Sequence, residues 1–466
     1  MRVTFVLTSA IAIAAVLFAP PDANSFVTFE RVVDGRRATN PFSDGLVIQR
    51  ESVVPVFGTA APGEIVVVQI AGQFAETIAG EDGAWRADLA PMPAGGPYVL
   101  TVEGAANTLT VEDVMIGEVW LAAGQSNMAI DTPRRTVLDQ HPEVRTFRKR
   151  RWRDRPGAVP FNFAVELSAA LEGVTVGILN RAKKGSGRRI HNWVADSAAN
   201  DPDPAVAPLL EEQRRWGAWY KKVIRPLQPF AVRGIAWWQG EGELRQQTAP
   251  PYDYQKLFPA VIRSWRSDWG QASLPFVFVQ VQAGGGLQPG TTVSPLPAHP
   301  PVEEEEKVSV LRQAFVIALE EPDTGMVATI DLQGGVHPPD RYEIARRIAL
   351  VALGRIYGQT IAYSGPIYSN MTVEGSSLRV HFRDGTADGL RSEGGPLQGF
   401  DISADGVTFH WAEAAIEGTS IVLSSPAVQN PAVARYGFAK NPTWANLFND
   451  SGLGAAPFST LATPGP

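Results

Sequence analysis

Two residues far apart in the chain have the types that acyl transfer needs. Ser126 stands in Gly124-Gln125-Ser126-Asn127-Met128, directly after the apolar run Gly117–Ala123. His337 stands in Gly334-Gly335-Val336-His337-Pro338, just past another apolar run, Met326–Asp331. A serine hydroxyl is a poor nucleophile at neutral pH and needs a neighbouring base, which an imidazole supplies. A serine opening a helix also meets backbone N–H groups able to hold a developing oxyanion. Taken alone, strand-Gly-x-Ser fits a plain helix N-cap better than a nucleophile. The Gly-x-Ser-x-Gly elbow is incomplete, because position 128 is Met. A lone loop histidine likewise fits a solvated or capping residue. The chemical reading gains because both residues follow apolar runs and can converge over one sheet.

Two glycine-rich loops add to the pair. Ala236-Trp237-Trp238-Gln239-Gly240-Glu241-Gly242-Glu243 closes a third apolar run. Gln239 there can aim an amide N–H at an oxyanion. Trp238 and Glu241 are candidates for substrate binding, although a core role suits the tryptophans equally well. Gly185-Ser186-Gly187 follows a fourth run, and Gly187 can offer a backbone N–H.

The elements that must position these residues follow from periodicity. Five apolar runs, Gly117–Ala123, Val174–Leu179, Val232–Trp238, Pro275–Val281 and Met326–Asp331, alternate with helical stretches such as Tyr254–Trp269 and Lys307–Glu320. Runs apolar throughout are typical of parallel strands buried on both faces. Strand-helix alternation implies βαβ units in a three-layer α/β/α sandwich, whose sites lie at the carboxyl ends of strands. A last helix is expected from about Asp340, with Asp340 and Glu343 at capping-box spacing and Gly358 at its end. Residues 25–110 and 361–466 carry short β-branched runs between Gly and Pro turns, the pattern of β-sandwich-like regions flanking a core over 111–360. Pro55 marks its run as an edge strand.

Composition narrows the function classes. The chain has 466 residues, no cysteine, and a net charge of -7. Thiolate catalysis, disulfides and cysteine-ligated zinc are excluded, and no HExxH pair occurs among the six histidines, so neither a metal nor another cofactor is expected. The acidic balance argues against a nucleic-acid partner. Residues 1–24 read as a signal peptide: Arg2 precedes a mostly apolar stretch to Ala19. The expected location is therefore a bacterial periplasm or the exterior, with no membrane span after signal removal. An uncleaved N-terminal anchor is the other reading.

These pieces resemble the sialate O-acetylesterase family of the SGNH hydrolase superfamily. Residues 117–128 (GEVWLAAGQSNM) resemble its nucleophile block, 237–241 (WWQGE) its WYQGE block, and 337–338 its His-Pro block. Pro41–Arg50, Leu257–Gly270 and Tyr436-Gly437 also resemble it. The resemblance implies a flavodoxin-like SGNH core and cofactor-free removal of acetyl groups from sialic acids or related glycans. It implies Ser126 as nucleophile, His337 as base, and the Ser126 backbone, Gly187 and Gln239 as oxyanion donors. The chain departs from the family at three places. Gly335 stands where many members have Asp, Gly185-Ser186-Gly187 replaces a Trp-Gly-Gly loop, and Gly242-Glu243 replaces a frequent Ser-Asn. Without that Asp, His337 can be oriented by Asp331 as third triad member, by Asp340, or by a backbone carbonyl. A neutral acceptor is the favoured reading. Arg188 and Arg189, in a basic loop with Arg181, Lys183 and Lys184, are candidates for binding a substrate carboxylate. Two rival functions stay open, an acetylxylan or other polysaccharide acetylesterase and a catalytically inactive glycan-binding protein.

Overall fold

The 17-residue strand Thr108–Gly124 (β1) is the axis of the protein. Its second half is joined in parallel by Val144–Phe147 (β2), Val176–Asn180 (β3), Gly234–Trp238 (β4), Phe276–Val279 (β5) and Thr324–Val327 (β6). The spatial order is β2-β3-β1-β4-β5-β6. The computed structural model describes residues 26–33, 35–38, 40–130, 141–148, 150–152, 157–185, 189–212, 216–245, 251–282, 291–302, 307–332, 334–335, 337–338 and 341–461.

Successive strand residues point to opposite faces, so a run apolar throughout serves two cores. Trp120 and Ala122 face one core, with helices Ala158–Ala170 (α1) and Tyr342–Arg355 (α4). Val119, Leu121 and Ala123 face the other, with Pro251–Trp269 (α2) and Lys307–Ala318 (α3). The tryptophan pair divides the same way, Trp237 to the second core and Trp238 to the first. This is the expected three-layer sandwich. From β1 the chain passes to β2 and β3 on one side and later reaches β4 on the other, so the crevice of such a sheet opens at the carboxyl end of β1.

Two strand expectations need correction. Strand β2 escaped the periodicity reading because Arg145 interrupts its apolar pattern. That guanidinium is buried by bonding to the backbone and carboxylate of Asp113. The run Met326–Asp331 is only partly strand: β6 begins at Thr324 and ends at Val327. Beyond it, Arg347 of α4 binds the Ala328 carbonyl and the Asp331 carboxylate, drawing the chain off the sheet. The capping-box reading of α4 falls partly on Asp340, which lies outside the described residues. Gly358 past the end of α4 has φ +67, the left-handed turn its glycine suits.

The first half of β1 pairs antiparallel with Gly95–Glu103, which carries Ile65–Ile70 and Gln73–Ile78 beyond it. One strand therefore crosses the boundary expected near residue 110, and the N-terminal region and the core share a sheet. Val54–Thr59, with Pro55, pairs with Ala84–Leu89 alone among the described strands, as an edge strand should. The C-terminal region has two four-stranded antiparallel sheets around Leu378, Phe400, Ile421 and Tyr436. Among the described residues no helix is long and apolar enough to cross a membrane.

Candidate active site

Gly124 ends β1 with φ +115, and a Cβ there would collide with the Trp238 carbonyl of β4. Glycine is needed for both reasons. The close approach lets the Trp238 carbonyl accept the Gln125 N–H at 2.8 Å. A single helical turn, Ser126–Ala129, follows, and its N-cap is Gln125, with no side-chain cap. The capping reading of Ser126 therefore does not hold. Its Oγ lies 2.9 Å from Nε2 of His337, which stands exposed in the loop between β6 and α4. Residues read separately in the sequence thus meet at hydrogen-bonding distance over the carboxyl end of the sheet.

The serine turn is stitched to the loop after β4. Gln125 Oε1 accepts the N–H groups of Gly240 (3.1 Å) and Gly242 (3.2 Å). Asn127 Nδ2 donates to Glu241 Oε1 at 3.3 Å, and Trp238 Nε1 donates to the same oxygen at 2.7 Å. Burial pushes the Glu241 carboxyl above its usual range, while those two donors work in the opposite direction. These contacts correct two substrate-binding expectations. Trp238 is fully buried and presents no face to a sugar. Glu241 is spent on bracing Trp238 and the residue beside Ser126.

Gln239 is also fully enclosed, and its Nε2 donates to Glu243 Oε1 at 2.9 Å. Tyr254 of α2 donates to the Gln239 carbonyl. Glu243 Oε1 additionally accepts the Ile190 N–H at 2.7 Å, tying the loop after β3 to the end of β4. Burial raises the Glu243 carboxyl, against the opposing pull of Gln239, Ile190 and Arg189.

Gly187 and Arg188 lie outside the described residues. Arg189 is half-buried, and its charge acts on the nearby Glu243 carboxyl. Arg181 is buried over the Phe147 ring, and burial lowers its pKa to about 10. His191, next in this segment, is lowered to about 4 by burial and by Arg189. Asp331 is buried, and both its oxygens accept from Arg347, at 2.9 and 2.6 Å. Among the described residues its carboxylate bonds to Arg347 and not to His337. Among them there is also no group of three or more acidic, His or Cys side chains able to hold a metal.

Sequence reasoning missed Gln125, Asn127 and Glu243 as parts of the site. The available signal was polar side chains flanking glycines in two loops that close adjacent strands.

Comparison with known proteins gives concordant results. A family profile described as "Carbohydrate esterase, sialic acid-specific acetylesterase" matches residues 154–361, a range that includes Gln239 and His337 and begins after Ser126. Sialate O-acetylesterase of Homo sapiens is 25% identical over 405 residues, covering 72% of this chain and 73% of that protein. The Pongo abelii enzyme of the same name is 24% identical over 400 residues, with 72% and 73% covered. The crystal structure of a carbohydrate acetylesterase from Xanthomonas citri superimposes with a TM-score of 0.75 at 31% identity, covering 91% of this chain and 99% of that one.

Proposed function

Because the chain belongs to the sialate O-acetylesterase family of carbohydrate esterases, we propose that it removes O-acetyl groups from sialic acids or related glycans through a Ser126–His337 centre. The observation carrying this reading is the 2.9 Å contact between Ser126 Oγ and His337 Nε2 at the carboxyl end of the parallel sheet.

In this reading His337 takes the Oγ proton as Oγ attacks the acetyl carbonyl carbon. The carbonyl π electrons move onto oxygen, and the oxyanion is held by the Ser126 backbone N–H and the Gln239 amide, with Gly187 as a third donor. As the intermediate collapses, the C–O bond to the sugar breaks and His337 protonates the leaving oxygen. Water then attacks the acetyl-serine with His337 again as base. Acetate leaves, and His337 returns the proton to Ser126.

Acetate release across O-acetylated sialosides, xylan and pectin tests the substrate class. Release from sialosides alone supports the sialate reading, and preference for xylan supports the polysaccharide alternative. Ser126→Ala tests the centre. Turnover of 4-nitrophenyl acetate should fall by several orders of magnitude in a protein that still melts cooperatively. Undiminished hydrolysis in that variant would reject Ser126 as nucleophile, and an inert wild type would favour the glycan-binding alternative.

A further inference from the structure

We propose that Glu243 is a positioning residue for deacetylation, holding the Gln239 amide in one orientation and fastening it to the loop that follows β3. The inference rests on the reading above, in which Gln239 is an oxyanion donor.

A glutamine amide can turn either its oxygen or its NH2 towards a neighbour. An ionised carboxylate only accepts, so the neighbour it faces must be the NH2 side. Glu243 Oε1 stands 2.9 Å from Gln239 Nε2. Glu243 takes one N–H of that nitrogen and thereby sets the direction of the other. The accepting oxygen is itself fixed, because it receives the Ile190 N–H at 2.7 Å and the residue is only 8% exposed. One oxygen therefore joins the end of β4 to the segment that runs through Gly185 and Arg189.

The titratable groups acting with Glu243 are Arg189 from the loop and Asp253 and Tyr254 from α2. Burial favours the neutral carboxyl, and the Gln239 Nε2 and Ile190 N–H donors together with Arg189 favour the ionised, accepting state.

The test is a cycle of Glu243→Ala, Gln239→Ala and the double variant, read as kcat and KM for 4-nitrophenyl acetate. Glu243→Ala should lower kcat about 10- to 100-fold with KM little changed, since a misdirected donor is lost mainly from the transition state. Added to Gln239→Ala, it should cost nothing more, because Glu243 acts through that amide. A wild-type kcat in Glu243→Ala, or losses that multiply in the double variant, would overturn the inference. If Glu243→Ala fails to melt cooperatively, Glu243→Asp replaces it in the same cycle, keeping the charge while withdrawing the oxygen. A wild-type kcat in Gln239→Ala would reject the oxyanion role of Gln239, and the inference with it. Hydrolysis unaffected by Ser126→Ala would instead reject the proposed centre.

Discussion

At the scale of single residues, the site separates groups that face the substrate from groups that hold them. Ser126 and His337 meet at the surface of the crevice, whereas Gln239 is fully enclosed. Gln239→Ala separates an oxyanion donor from a support of the loop after β4. An oxyanion donor contributes mainly in the transition state, so its loss should lower kcat by about 3 kcal/mol, roughly a hundredfold, with a smaller effect on KM. An unchanged kcat accompanied by a lower Tm would assign Gln239 to the support of its loop. Glu241 shows how misleading residue type can be. A carboxylate beside a proposed nucleophile suggests chemistry or substrate binding, yet its Oε1 bonds to Trp238 and Asn127.

At the scale of elements, two strand ends and one helix build the crevice. The β1 and β4 ends touch through Gly124, the one residue type that allows that approach. The loop carrying His337 is anchored behind it by the Arg347–Asp331 pair, which links α4 to the chain beyond β6. This gives Asp331 a structural task. Asp331→Asn should leave Arg347 buried without its full counter-charge and cost about 3–5 kcal/mol of stability. The kcat of the molecules that remain folded should fall far less. If Asp331 were the orienter of His337, the Asn variant would instead lose about 10⁴-fold in kcat, as a triad aspartate does. Kinetics normalised to the folded fraction, measured beside thermal melts, distinguish the two.

At the scale of the whole molecule, the N-terminal region is structurally continuous with the core. Glu118 sits fully buried on β1 at that junction, accepting from Gln49 and Arg50 on one side and Arg233 on the other. Burial raises its pKa, but the bonds and charges of Arg233 and Arg50 outweigh burial and leave it lowered. Its contribution is therefore present above the ordinary carboxylate range and lost as pH falls through the depressed value. Glu118→Gln should cost about 2–3 kcal/mol at neutral pH. That is less than for a fully buried pair, because the arginines are 17% and 26% exposed and partly screened. The Tm gap between variant and wild type should close as the pH is lowered. A gap that stayed constant into strong acid would show that the carboxylate charge is not what joins the regions.

Local patterns determined the layers. Runs such as Gly117–Ala123 and Val232–Trp238 can be buried only on both faces, and the stretches between them have helical length, so a three-layer sandwich follows from the chain alone. The same patterns placed Ser126 and His337 after strands, and so at one end of a sheet. Strand β2 stayed hidden because the fit of Arg145 to its pattern depends on Asp113, a partner 32 positions away. The fate of Trp238, Glu241 and Asp331 was likewise open, because a tryptophan or carboxylate has the same local signature whether it meets a ligand or a buried neighbour. Those neighbours come from other elements or from folded-back loops, and only the tertiary structure chose between the two uses: Trp238 went to the core, Glu241 to Asn127, and Asp331 to Arg347. Periodicity reports which face of an element is buried, whereas the partner of a buried polar group depends on contacts between segments that no local pattern records.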